Sequence, residues 1–258
     1  TSSQFTPRVS LSRDFSEKLT GYASYSQGFK SGGFDMRGDA LAVPNTSEGY
    51  DPEKVGTYEL GLKGSALDGR LNFSSALFYS DYTDQQVTVQ AWVPETSTVA
   101  SVVANAGSST IYGAEFEATA NLSRSFMAFA SLGYVRADFN EFNVYDATIG
   151  DYVNIADRAG FQNTPRWTGY LGATWTIPAF GGALAVTPAL SYRGSTQMFE
   201  FANPLVDENG YTLVNVNATW TTAHRRWSLW LAARNLTNET YRIAGYVSAG
   251  ALFDASGI

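Results

Sequence analysis

Tyr112 to Ala120 reads Y-G-A-E-F-E-A-T-A. Tyr112, Ala114, Phe116, Ala118 and Ala120 fall on one side of a period of two, and Gly113, Glu115, Glu117 and Thr119 on the other. Successive side chains of a strand point to opposite faces, so this segment reads as a strand with one apolar and one polar face. The same alternation runs outward in both directions. Tyr58, Leu60 and Leu62 oppose Glu59, Gly61 and Lys63, and Leu71, Phe73, Leu77 and Tyr79 share a side. Trp167, Leu171, Trp175 and Ile177 oppose Arg166, Thr168, Tyr170 and Thr174. Leu184, Val186, Leu190 and Tyr192 oppose Thr187, Ser191 and Arg193. Val214, Val216, Ala218 and Trp220 oppose Asn215, Asn217 and Thr219. The pattern predicts about ten strands, near 3–14, 18–30, 53–66, 70–84, 106–121, 126–139, 163–177, 183–196, 211–221 and 226–239.

The connections separate one architecture from another. Asp14–Glu17, Ala66–Gly69, Asn121–Ser125, Pro178–Gly182 and Thr222–Arg225 are short. Between them lie the long stretches Ser31–Pro52, Gln85–Asn105, Asn140–Gln162 and Gln197–Gly210. Short and long alternate without exception, as do the tight periplasmic turns and longer extracellular loops of transmembrane β-barrels. Strand lengths agree, because a tilted membrane strand needs about 9–11 residues and a globular strand averages about 5–6. Aromatics gather near strand ends, as interfacial girdles require: Tyr22, Phe29, Tyr58, Tyr79, Tyr82, Tyr112, Trp167, Trp220 and Trp227. A soluble β-sandwich also alternates, but needs neither long strands nor this asymmetry. The expected fold is therefore an all-β, antiparallel transmembrane β-barrel.

Composition narrows the function. The chain has 258 residues, 44% hydrophobic and 14% aromatic. Charged residues are 16%, against roughly 25% in ordinary soluble domains. No stretch approaches the ~20 apolar residues of a membrane helix; the densest, Trp227 to Ala233, is broken by Ser228. The net charge of −7 argues against a nucleic-acid partner. With no cysteine, disulfides, Cys-ligated metals and Cys nucleophiles are excluded. No G-x-S-x-G, H-E-x-x-H or Walker loop occurs, and the single His, His224, lies in a short turn. We expect no enzyme activity, no catalytic residue, no metal site and no cofactor.

Three segments go further. Tyr22 to Phe34 reads Y-A-S-Y-S-Q-G-F-K-S-G-G-F, Asn105 to Glu117 reads N-A-G-S-S-T-I-Y-G-A-E-F-E, and Leu229 to Tyr241 reads L-W-L-A-A-R-N-L-T-N-E-T-Y. Glu53 to Lys63, Leu77 to Tyr82 and Asn163 to Trp167 support them. In this order they resemble the C-terminal part of the barrel of TonB-dependent outer-membrane receptors. The resemblance implies a plugged barrel of about 22 strands, of which residues 1–258 would be about ten strands. The plug, the TonB box, the N-terminal strands and the closing strand would lie outside this chain. The first turn is short, so both chain ends are expected to be extracellular, and such a piece, with unpaired edges in lipid, should not insert alone.

The resemblance also implies a function. Such receptors sit in the bacterial outer membrane and import scarce nutrients, most often ferric siderophores, with haem, cobalamin and some glycans as other substrates. Energy comes from the TonB–ExbB–ExbD complex acting on the receptor's own plug. A passive porin-like barrel is the alternative, and a barrel enzyme using His224 a remote one; a plug and TonB box upstream would separate them. Aromatic and Arg side chains of the long loops are the candidate ligand contacts: Phe34, Arg37, Trp92, Tyr145, Tyr152, Arg158, Phe199 and Phe201. Glu59, Lys63, Glu115, Glu117 and Arg193 fall on the polar side of their strands and are expected to face the lumen.

Overall fold

A computed structural model describes residues 3–36, 48–93, 98–146 and 149–245. It is one antiparallel sheet of 11 strands and contains no α-helix among the described residues. The strands are β1 (Arg8–Ser16), β2 (Leu19–Lys30), β3 (Glu53–Ala66), β4 (Leu71–Val93), β5 (Thr98–Asn121), β6 (Phe126–Asp146), β7 (Asp151–Asn154), β8 (Trp167–Ala179), β9 (Gly182–Arg193), β10 (Tyr211–Thr222) and β11 (Ser228–Ala233). Each pairs with the next in sequence, except that β7 pairs only with the outer part of β6, which otherwise passes directly to β8. The sheet is open, with β1 and β11 as its edges.

Cross-strand register carries the alternation across the whole sheet. Tyr25, Tyr58, Tyr79 and Tyr112 stand directly opposite one another on four successive strands. Tyr134 and Trp167 continue the row one step lower, with ring centroids 4.7 Å apart. Beyond this aromatic row the same face turns charged, with Arg136 Nε 2.7 Å from the Asp138 carboxylate. Below it the face is aliphatic and open: Leu60 is 60%, Leu77 58%, Leu171 55% and Leu231 72% exposed. Near the short turns, aromatics return in Phe126, which pairs with Trp175, and in Trp220 and Trp227. From Phe126 to Tyr134 the strand advances about 27 Å at about 3.4 Å per residue. Tilted by about 40°, that spans about 20 Å, near the height of the apolar band of an outer-membrane barrel.

On the other face, glycines accommodate rings. Tyr22 faces Gly61, Phe78 faces Gly113 and Phe129 faces Gly172, each pair in direct register. Each ring occupies the space a Cβ at that glycine would need. Gly113 also lies against the Tyr134 carbonyl, a close backbone approach that a side chain would block. The short Phe180–Gly181 connection uses φ of 52° and 67°, the twin positive values of a hairpin turn matched to strand twist.

β1 and β8 start later than the sequence reading has them, at Arg8 and Trp167 instead of 3 and 163, and three regions differ more. Most of Gln85–Asn105, expected as a loop, continues the β4 and β5 ladder to the pair Val93↔Thr98. Register shifts at Gln85 and Gln86 absorb the change of direction, beside Asp84 at φ 55° and Gly107 at φ 143°. Likewise β6 runs on to Asp146 and pairs with β7, an eleventh strand within the expected 140–162 loop. The last strand stops at Ala233 instead of 239, because Asn235 takes φ 51° and leaves the strand path.

Candidate functional site

The five short turns gather at one end of the sheet and the long connections at the other. That far end holds the densest packing of the described chain. Phe142 is 1% and Ile155 3% exposed, and Val87, Phe139, Val144, Val153, Ala159 and Phe201 pack against them. Phe139 stacks on Phe161 at 4.2 Å and touches Phe142 at 4.7 Å. This core joins the β4–β5 extension, the β6–β7 hairpin, the segment before β8 and the β9–β10 loop.

Two polar clasps flank it. In the first, the Gln86 amide donates to the carbonyls of Ser31 and Asp51 at 3.0 Å each, and to that of Lys30 at 3.4 Å. The Gln86 backbone N–H donates to Glu53 at 2.9 Å. Asn105 accepts from the Asp51 N–H at 2.6 Å and donates to the Asp51 and Asp84 carbonyls. Both stems of the β2–β3 connection are thus tied to the β4–β5 bulge, and the Gly33–Tyr50 bridge closes them into a neck. Gln86 is 9% exposed, so these bonds satisfy an amide that would otherwise be buried unpaired.

In the second clasp, the loop before β8 lies along the β9–β10 loop. Gly160 N–H donates to the Glu200 carbonyl at 2.7 Å, and Asn163 N–H to that of Gln197 at 2.9 Å. Gly160 sits directly against the Gln197 amide, where a Cβ would collide. The Asp207 carboxylate accepts from the Met198 and Asn203 N–H groups at 3.0 and 2.7 Å. Glu208, 9% exposed, accepts from the Arg242 backbone N–H and lies 3.8 Å from its guanidinium. Tyr241 stacks on Tyr211 at 4.4 Å. The segment after β11 therefore straps over the β9–β10 loop. Its own turn is closed by Asn235, whose amide donates to the Glu239 carbonyl and accepts from the Glu239 N–H at 2.9 and 2.8 Å. The N-L-T-N-E-T-Y motif is thus a folded turn that positions Tyr241 and Arg242.

The expected contacts distribute around this platform. Phe34, 72% exposed, projects beside the neck. Tyr152 lies on β7, 41% exposed, opposite Tyr145 in the register of β6. Arg158 sits in the turn after Ile155, 4.0 Å from the neighbouring Asp157 carboxylate. Phe199 is half-buried on the β9–β10 loop. Phe201 packs into the Phe142–Ile155 core and anchors the loop. Trp92 lies in β4, near the tip of the β4–β5 extension. Arg37 lies outside the described residues. Glu59, Lys63, Glu115, Glu117 and Arg193 all stand on the face opposite the tyrosine row. There Glu59 accepts from the Tyr22 hydroxyl at 2.5 Å, Lys63 lies 5.5 Å from the Tyr22 ring centre, and Arg193 donates to the Asn163 carbonyl at 3.1 Å. Gln86, Phe142, Ile155, Glu208 and Arg242, which hold the platform together, escaped the sequence reading. Their partners are distant in sequence, and although Lys30, Ser31, Glu53 and Asn105 stood within the quoted segments, nothing local to them showed what they would hold.

Comparison with known proteins agrees with this architecture. The ferripyoverdine receptor of Pseudomonas aeruginosa is 35% identical over 77 residues, which is 30% of this chain and 9% of that protein. The ferric yersiniabactin uptake receptor FyuA of Yersinia pestis superposes with a TM-score of 0.69 at 22% identity, covering 93% of this chain and 33% of FyuA. The structure of the P. aeruginosa ferripyoverdine receptor bound to ferripyoverdine superposes with a TM-score of 0.63 at 20% identity, covering 93% of this chain and 30% of that receptor. The chain thus spans about a third of the length of these structures, and at such identities they establish the fold. The family described as TonB dependent receptor-like, beta-barrel matches residues 1–236, and the chain belongs to this family of outer-membrane β-barrels.

Proposed function

We propose that this chain is the C-terminal part of the barrel of a receptor that imports a ferric siderophore or a similar iron complex. The extracellular loops capture the complex. The TonB–ExbB–ExbD complex, pulling on a plug domain encoded outside residues 1–258, supplies the energy. The observation that carries this reading is the folded platform on the long-connection end. A mere pore needs no such core, whereas a receptor gains affinity from a surface ordered before its ligand arrives. The names of the ferripyoverdine and ferric yersiniabactin receptors support iron complexes as the ligand class. In this reading Phe34, Arg37, Trp92, Tyr145, Tyr152, Arg158 and Phe199 offer the capturing surface, and Phe201 holds it in shape. Glu59, Lys63, Glu115, Glu117 and Arg193 line the lumen.

The test is uptake of radio-iron as ferripyoverdine and as ferric yersiniabactin by cells lacking the gene, complemented with it, and complemented but lacking TonB. Gene-dependent and TonB-dependent uptake of either supports the proposal. Uptake that persists without TonB would favour a passive pore. In the full receptor, replacing both Trp92 and Tyr152 with Ala should weaken capture; unchanged affinity would remove these two from the site.

A further inference from the structure

The polar face of the sheet is not uniform. On β2–β5 its middle carries Glu59, Glu115, Glu117 and Lys63, with the Tyr22 hydroxyl bonded to Glu59. On β6 and β8–β10, below Arg193, the same face has no charged side chain. Ser131, Tyr170, Thr187, Ser191, Asn217 and Thr219 are among its polar groups. The Thr174 and Thr187 hydroxyls lie 2.9 Å apart, so the wall carries paired neutral donors and acceptors. Tyr170 is stacked against Phe129 at 5.7 Å and 20°, and is still 42% exposed. Gly172, Ala185 and Ala189 make this half shallow in relief. At the short-turn end it opens into a hollow of about 1080 Å³ lined by Thr176, Ala185, Thr219 and Thr221, with Arg225 at its rim. That volume reaches the top of the range of roughly 300–1,000 Å³ that holds drug-sized ligands.

We propose that the imported solute crosses the lumen along the β6–β10 wall and leaves through the hollow by the β8–β9 and β10–β11 turns. This deepens the uptake reading and rests on it. An anionic chelate is repelled by the carboxylates of the β2–β5 wall, where the exposed Glu115 and Glu117 stand two residues apart on one face. Along the other wall it exchanges weak hydrogen bonds with hydroxyls and amides, and its planar groups slide over the Phe129–Tyr170 platform. The recessed glycine and alanines leave it room, and it meets no fixed charge between Arg193 and the Arg225 at the exit.

This chain is free of cysteine, which makes the test direct. Single cysteines replace Thr187 or Thr219 on the proposed route, and Ser24 or Ser74 on the other wall, in the natural full-length receptor with any cysteine elsewhere removed. A membrane-impermeant sulfonated maleimide is applied to cells with and without TonB. We expect T187C and T219C to label about five-fold faster or more when TonB acts, and S24C and S74C to be unchanged. No TonB-dependent change at any position, a change shared by both walls, or one confined to Ser24 and Ser74 would overturn the route. In parallel, the T187C adduct should cut ferripyoverdine-iron uptake about ten-fold while surface binding stays; an adduct without effect on uptake also counts against the route. If ferripyoverdine neither binds nor enters, that ligand assignment falls, and the labelling asymmetry still decides the route.

Discussion

The strand wall and the loop platform of this chain keep their shape by opposite means. The wall is a single layer with no core of its own. Its aliphatic face is open, Leu60 and Leu77 being 60% and 58% exposed, and hydrocarbon must supply the burial. Its backbone is satisfied by the ladder from strand to strand. The platform stands in water and cannot borrow a solvent. It builds a small core, with Phe142 at 1% and Ile155 at 3% exposed, and buries Gln86 and Glu208 only where each has partners. The wall is thus a surface specified by its surroundings, and the platform a surface specified by itself. A binding site belongs on the second kind, since a lipid-facing wall has no means of fixing a side chain for a ligand.

The contrast predicts a graded set of outcomes. The largest concerns the platform core. Phe142→Ala should cost about 3–5 kcal/mol of local stability, as for other buried aromatics. Hydrogen exchange should quicken in 139–163 and leave the β2–β5 ladder protected; a uniform loss would mean that wall and platform unfold together. Next, Leu77→Arg on the open aliphatic face should destabilise the full barrel in lipid vesicles by about 2–4 kcal/mol in urea titrations. The neighbouring Ser74→Arg, on the polar face, should cost far less, and equal costs would erase the distinction between the faces. Gln86→Ala should cost about 1–3 kcal/mol by stranding carbonyls at the neck of the β2–β3 connection. Faster proteolysis of that connection alone would be the sign of it. The smallest effect is expected for Phe199→Ala, within about 0.5 kcal/mol of the parent, with a change in binding of the proposed ligand instead. A large loss of stability there would place Phe199 with Phe201 among the anchors.

The wall was legible in the sequence because its rule is local. Period two in Tyr58–Lys63 and Tyr112–Ala120 assigns each side chain to a face without knowledge of any partner, and the alternation of short and long connections assigns the ends. The platform was far less legible. Residues 85–105 read as a loop because a bulge at Asp84–Gln86 interrupts the alternation, though the ladder resumes as far as Val93↔Thr98. Aromatics such as Phe201 could not be sorted into anchors and exposed contacts, since that depends on which loop lies against which. The Glu208–Arg242 pairing spans the whole β10–β11 hairpin, and neither residue carries a local signal.

The most direct test of the two-faced wall is a nitroxide scan of β4. Single cysteines at positions 73 to 79 of the full receptor, in lipid vesicles, are spin-labelled and their collision rates with oxygen and with a water-soluble nickel chelate are compared. The structure predicts a period of two, with Phe73, Ser75, Leu77 and Tyr79 seen by oxygen from the bilayer and Ser74, Ala76 and Phe78 shielded from it. A scan in which all seven positions meet the nickel chelate alike would contradict a membrane-spanning wall, and with it the receptor built upon it.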